Sequence, residues 1–152
     1  MISNLIKVAF LAALPVTELR GAIPVGLNLY NLPVLPTFLF AVLGNIVPAL
    51  LLLRYLKPFS DLLKRWSAFD LFFSWLFKRT RKYEEKYEKY GALFLLFFVA
   101  VPLPGTGVWT ASVAAFLFGI RFSYAFFMMS AGVFIAGVIV TLADIGLISI
   151  FV

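Results

Sequence analysis

Three stretches of this chain, residues 21–53, 91–120 and 122–143, contain no Asp, Glu, Lys or Arg. A helix needs about 20 apolar residues to cross a hydrocarbon core, within a range of roughly 17–25. Inside lipid every backbone polar group has to be satisfied by the segment itself or by its protein neighbours, which restricts spanning structures to helices and closed barrels. The composition points the same way: of 152 residues, 63% are hydrophobic and 13% charged. A soluble domain carries roughly 25% charged residues, and this chain has too little polar surface to cover its core in water. The expectation is an all-α integral membrane protein.

Residues 35–53 and 122–143 are suited to full crossings. Pro48 in the first, and Gly132 and Gly137 in the second, permit kinks or close helix contacts. The remaining apolar regions are broken. Residues 91–120 are interrupted by Pro102, Pro104, Gly105 and Gly107, leaving halves of eleven and twelve residues, 91–101 and 108–119. At helical rise each half reaches about 16–18 Å, short of a ~30 Å core. Residues 1–14 and 21–29 flank a similar interruption, Pro15-Val16-Thr17-Glu18-Leu19-Arg20, with Pro24 just beyond it. The first 14 residues have the outline of a signal peptide, but the sequence stays apolar through Leu53, so they are read as part of the fold. Broken helices at membrane depth persist only where protein or a wet cavity satisfies the freed backbone. Two re-entrant helical hairpins are therefore expected; short tilted helices joined by interfacial loops are the plainer alternative.

A weak internal repeat accompanies these breaks. Leu14-Pro15-Val16-Thr17 aligns with Leu103-Pro104-Gly105-Thr106 at an offset of 89, and Ala22 with Ala111; at an offset of 88, Gly44 aligns with Gly132. The chain then reads as one membrane domain in three parts. Residues 1–56 form a hairpin plus spanning helix, 57–90 a connector, and 91–152 a second hairpin plus spanning helix. With the connector on one side, the two repeats have inverted topology, the common architecture of secondary transporters with midplane sites.

Charge is concentrated in that connector. Between Arg54 and Lys89 lie ten of the 13 basic and five of the seven acidic residues. Positive residues beside apolar spans mark the cytoplasmic side, so a multi-pass plasma-membrane protein with residues 54–90 cytoplasmic is expected, and nucleic acid is not an expected partner. Residues 57–77 suit an amphipathic interfacial helix, with capping-box spacing at Ser67 and Asp70. Residues 78–90 read as a charged helix with Tyr83, Tyr87 and Tyr90 on one face and a Glu85–Lys89 pair.

At the two breaks the sequence becomes recognisable. Glu18-Leu19-Arg20-Gly21-Ala22-Ile23-Pro24 and Pro102-Leu103-Pro104-Gly105-Thr106-Gly107-Val108-Trp109-Thr110 closely resemble signature segments of the small multidrug export protein family, and the resemblance runs from about Leu14 to Asp144. That family is in turn distantly similar to the DedA superfamily, whose paired re-entrant hairpins carry a PxPG-like element. DedA-type proteins are implicated in proton-dependent transport, including that of polyprenyl-phosphate lipid carriers. The chain departs from the DedA pattern: its Pro-Gly lies in the second hairpin with no acid after it, and its hairpin arginine, Arg20, lies in the first.

Glu18 and Arg20 are the sharpest functional signal, because intramembrane charges are rare and mark ion or substrate pathways. A carboxyl group buried at a hairpin tip can load and release a proton, while Arg20 can hold an anionic headgroup through its planar fork or neutralise Glu18. On a regular helix side chains at i,i+2 diverge, so pairing requires a non-helical tip; a structural salt bridge is the alternative. Asp144 lies 23 positions after Arg121, about 34 Å along a straight helix, as coupling site or interfacial anchor. Arg121 itself reads as a snorkelling residue. Thr17, Thr106 and Thr110 offer hydroxyls to substrate or to backbone freed by the prolines. Trp109 is a stacking or packing group, and a helix N-terminus near Gly107 would attract an anion.

The leading expectation is a small proton-coupled secondary transporter working by alternating access. Glu18 is the proton carrier, and the preferred substrate is an amphiphilic, phosphate-bearing lipid. Export of small lipophilic drugs and a non-transporting scaffold or scramblase are the alternatives. Membrane lipids and protons are the expected partners, with a homodimer compatible. With no Cys and no His, the commonest thiolate, general-base and zinc chemistries are missing, so no enzyme activity, metal or cofactor is expected.

Overall fold

The computed structural model describes residues 1–63, 85–103 and 105–151. Among them are six helices and no strand. In the first half, α1 is Ile2–Ala13, α2 is Glu18–Pro24 continued by a π turn at Val25–Leu29, and α3 is Val34–Leu63. In the second, α4 is Glu85–Ala100, α5 is Val108–Leu117 and α6 is Phe122–Phe151.

Helices α3 and α6 are 30 residues each. They carry membrane-length apolar spans, Val34–Leu56 and Phe122–Gly146, with mean hydropathies of 2.1 and 2.3, which contain the two crossings expected from sequence. Outward-facing stripes such as Leu39, Leu43, Val47 and Leu51 on α3, and Phe127, Phe134, Val138 and Leu142 on α6, remain exposed. Stripes of that extent are uncommon on soluble monomers and suit a lipid surround. The prolines at 48 and 58 lie within α3 without ending it. The other helices are short: α1 has 12 residues and α5 has 10, about 18 and 15 Å at helical rise.

Packing follows a simple exchange. Helix α1 lies along α3 and α4 lies along α6, while α2 reaches across to α6 and α5 reaches across to α3; the two long helices also touch each other. Each short helix turns small or branched apolar residues inward: Leu5, Val8 and Ala12 from α1, Leu19, Ala22 and Ile23 from α2, and Val108, Ala111 and Ala115 from α5. Small side chains let backbones approach, the main source of attraction between helices in a medium as apolar as themselves.

Two glycines set the closest approaches. A Cβ on Gly44 of α3 would collide with the backbone of Ala9 in α1, and one on Gly132 of α6 would lie 2.7 Å from the carbonyl oxygen of Leu96 in α4. These are the two glycines aligned by the sequence offset, and each seats the first short helix of its half.

Several details differ from the sequence expectation. The first interruption is shorter: α2 already begins at Glu18, so only residues 14–17 form the turn. Pro24 does not break the chain but closes α2 and leads into the π turn. Pro102, Gly105 and Gly107 do lie in the second break, whereas Pro104 lies outside the described residues. So does most of the connector, including Ser67, Asp70 and Tyr83; the side chains of Glu85, Tyr87 and Lys89 also fall outside the description.

Gly44→Ala forces α1 away from α3 and is expected to lower stability by about 1–3 kcal/mol. Gly146→Ala, where an added Cβ meets nothing within 4 Å, should leave the unfolding midpoint in detergent unchanged or slightly raised. Equal midpoints for the two variants would refute the interlock.

Candidate functional site: an ion pair across the second helix break

A break in a helix leaves N–H groups at one new end and carbonyls at the other without partners. In the second half the break runs from the end of α4 at Ala100 to the start of α5 at Val108. Turn bonds within the break reach the Val101 and Leu103 carbonyls, and side chains from the first half add to them.

Glu18 is the only charged residue buried among the described residues, at 7% exposure. Its carboxylate lies against Gly107 and faces the backbone N–H groups of Val108 and Trp109, the first two residues of α5. It therefore acts as an N-cap from a distant segment, placed where the helix dipole favours negative charge. The cap residue of α5 is Gly107, and any Cβ there would overlap the Glu18 carboxylate. Glycine at 107 is thus a spatial requirement: the carboxyl group occupies the volume of the missing side chain.

Arg20 serves the other end. Its Nη1 donates to the Leu103 carbonyl, and its Nη2 donates to the Val101 carbonyl at 3.4 Å and to Thr106 Oγ1 at 3.0 Å. The Thr106 hydroxyl lies 2.8 Å from the same two carbonyls. Cations are favoured at this end of a helix. Arg20 Nε stands 4.0 Å from Glu18 Oε2, so one ion pair bridges both ends of the break.

The pairing works because of the backbone at Glu18, whose φ is +46°. This left-handed conformation costs a non-glycine residue roughly 1–2 kcal/mol. It swings the carboxylate off the regular helical face, so that residues 18 and 20, which would otherwise diverge, face one another. The departure from regular helical geometry that such a pairing requires is present at a single residue, the first of α2. Its strain is tolerated because the caps and the ion pair hold it.

The first break is served in return. Trp109 Nε1–H donates to the Ala13 carbonyl at 3.2 Å, and the Thr17 hydroxyl donates to the carbonyl of Leu11. Of the threonines flagged in the sequence, Thr17 and Thr106 thus bind freed carbonyls, while Thr110 is exposed on α5. Asp144 is not part of this cluster. Both its oxygens accept from Asn28 Nδ2, at 3.0 and 3.1 Å, tying α6 to the π turn.

Sequence reasoning passed over Asn28 and Asn45. The only signal for them is an amide within an uncharged stretch; Asn45 is 2% exposed and its Oδ1 has no partner among the described residues.

The residues of this site lie within a recognisable family segment. Residues 18–139 match the protein family described as "Putative small multi-drug export protein". The chain belongs to that family. The match begins at Glu18 itself and takes in Arg20, Thr106, Gly107 and Trp109, but stops before Asp144. No curated protein and no solved structure matches the chain. Together with the two membrane-length helices, the family places the protein in a membrane with a transporter-like role.

Thr106→Val removes the hydroxyl shared by Arg20 and two carbonyls, at an expected cost of about 1–2 kcal/mol. Trp109→Phe keeps an aromatic side chain but loses the N–H donor to Ala13 and part of the packed ring, at an expected cost of about 1–3 kcal/mol. Chemical unfolding in lipid or mild detergent measures both; a Thr106→Val protein as stable as the parent would mean the hydroxyl is idle.

Proposed function

We propose that this protein is a secondary transporter exporting small lipophilic molecules, with the Glu18–Arg20 pair as its gate and Glu18 as the proton-carrying group. The observation that carries this reading is the double capping of the second break by one ion pair. Protonating Glu18 removes the negative charge that faces both the α5 N-terminus and Arg20. That single event weakens the α5 cap and frees Arg20 from its ionic partner. A proton is thereby linked to the closure of a helix break, the kind of two-arrangement element through which a ligand can bias a transport cycle.

The architecture we infer is an inverted repeat of two re-entrant hairpins, each followed by a spanning helix, with residues 54–90 cytoplasmic. Three parallels support it. Gly44 and Gly132 seat equivalent helices. The second short helix of each half crosses to the long helix of the other. Arg20 and Trp109, separated by the repeat offset of 89 in the sequence, each donate into the opposite break.

A phosphate-bearing lipid substrate, of the kind transported by DedA-type proteins, would need the Arg20 guanidinium free to bind an anion. In this structure the fork is directed at three oxygens of the break. Drug-like substrates, the class named in the family description, fit better. Membrane lipids surround the exposed apolar stripes, and a homodimer is compatible with them. No enzymatic step belongs to this reading.

In proteoliposomes loaded with a neutral fluorescent lipophilic dye, an imposed pH gradient should drive export. Glu18→Gln, which keeps an acceptor for the α5 cap but cannot ionise, should reduce gradient-driven export at least about ten-fold, the effect of losing roughly 1.4 kcal/mol of coupling, while the protein stays folded. Export by this variant equal to the parent's would remove Glu18 from the coupling step.

A further inference from the structure

The groups around the Arg20 guanidinium are all oxygen acceptors. They are the Leu103 and Val101 carbonyls, Thr106 Oγ1 and the Glu18 carboxylate. Two of them are carbonyls just beyond the C-terminal end of α4, where the helix dipole adds negative potential. No donor other than the threonine hydroxyl, already committed to the same carbonyls, faces the guanidinium in these interactions. Such a cluster is selective for a cation with several N–H donors, and would repel a phosphate or carboxylate.

The cluster is also reachable. The Arg20 side chain is 20% exposed, so the guanidinium lies at the rim and not in a sealed interior. The two residues whose carbonyls it meets have outward-turned apolar side chains: Leu103 at 56% and Val101 at 45% exposure. A headgroup site of oxygen acceptors beside exposed aliphatic side chains matches an amphiphile with a cationic head and an apolar tail.

We infer that the oxygen cluster at the second break is the substrate site, that its ligand class is the lipophilic cation bearing a guanidinium or primary ammonium head, and that Arg20 is a tethered cation occupying the site between substrates. This rests on the transporter reading above and specifies its substrate class. The resident Arg20 keeps the break capped when no substrate is bound. An incoming cation takes over the same oxygens, and Arg20 withdraws. The exchange preserves the charge balance with Glu18, so the low-dielectric site never holds an unpaired carboxylate. Apparent affinity for an external cation is then reduced by the fraction of time Arg20 fills the site, and removing the arginine side chain should raise it.

The test compares the parent with Arg20→Ala in lipid nanodiscs, using hexylguanidinium, hexylphosphate and hexanol as probes. Hexylguanidinium should bind Arg20→Ala at least about ten-fold more tightly than the parent and raise the variant's unfolding midpoint by several degrees, while the other two probes do neither. Equal response to all three probes, or tighter binding of hexylphosphate, would overturn the inference. If Arg20→Ala does not fold unaided, recovery of folded protein by hexylguanidinium during purification supports the site, and failure of that rescue counts against it. Transport by the parent separates the two levels of the proposal. Export of a neutral dye by the parent that hexylguanidinium does not inhibit, with no binding of hexylguanidinium to Arg20→Ala, keeps the transporter and removes the cation site. Cation binding by Arg20→Ala with no export of any dye by the parent keeps the site and removes the transporter.

Discussion

Backbone polarity in an apolar medium is the constraint from which the rest of this structure follows. Each unsatisfied N–H or carbonyl in hydrocarbon costs several kcal/mol, and a helix interrupted by Pro102, Gly105 and Gly107 exposes such groups on both sides of the gap. Local bonds go part of the way: the Leu103 and Thr106 N–H groups and the Thr106 hydroxyl reach the Val101 and Leu103 carbonyls. An acid and a base from residues 18 and 20 reach both sides of the gap across the sequence, with the acid on the N-terminal side and the base on the C-terminal side, as the helix dipole requires. Once that solution is adopted, other features become obligatory: a left-handed Glu18, a residue without a side chain at 107, and a hydroxyl at 106 to share the carbonyl lone pairs.

The same arrangement explains how one pair of residues can be both structural and functional. A surface salt bridge can be lost with little effect. A pair that holds two helix ends inside a membrane protein cannot change state without changing the geometry it supports. Under the transport reading proposed above, a proton or a competing cation acting on Glu18 or Arg20 would act on the position of α4 and α5. The structural reading of the ion pair, which the sequence left open beside the functional one, is in this sense the means by which a functional reading becomes physically plausible.

Much of this was readable from residues alone, though unevenly. The two long helices are visible because uncharged runs of spanning length have few other uses, and the second break because two prolines and two glycines within six residues deny a helix its backbone bonds. The pairing of Gly44 with Gly132 was visible only as a coincidence of spacing, and became meaningful when both were found against the backbone of a neighbouring helix. What could not be read was the partner of each charge. Sequence spacing says that residues 18 and 20 diverge on a helix, but not that one left-handed residue reunites them. Nor does it say that Trp109, which reads equally well as an aromatic at an interface, uses its indole N–H on Ala13. The extent of α2 was misjudged because Glu18 and Arg20 look like loop residues in an apolar setting; their charge is satisfied tertiarily, which no local propensity records. The amide of Asn28 became significant only through its contact with Asp144, 116 positions away.

The bond from Trp109 to Ala13 spans 96 residues of sequence, which bears on how the chain is made. At synthesis rates of roughly 5–20 residues per second, the Ala13 carbonyl emerges some 5–20 seconds before the indole that will cap it. For that interval the amino-terminal half has to remain near water, lipid headgroups or the insertion machinery, because its finished conformation depends on atoms that do not yet exist. The contact that joins the two halves here is therefore made only after residue 109 has been synthesised. A ribosome halted before residue 109 would leave a segment for membrane quality control to recognise by its uncapped helix end.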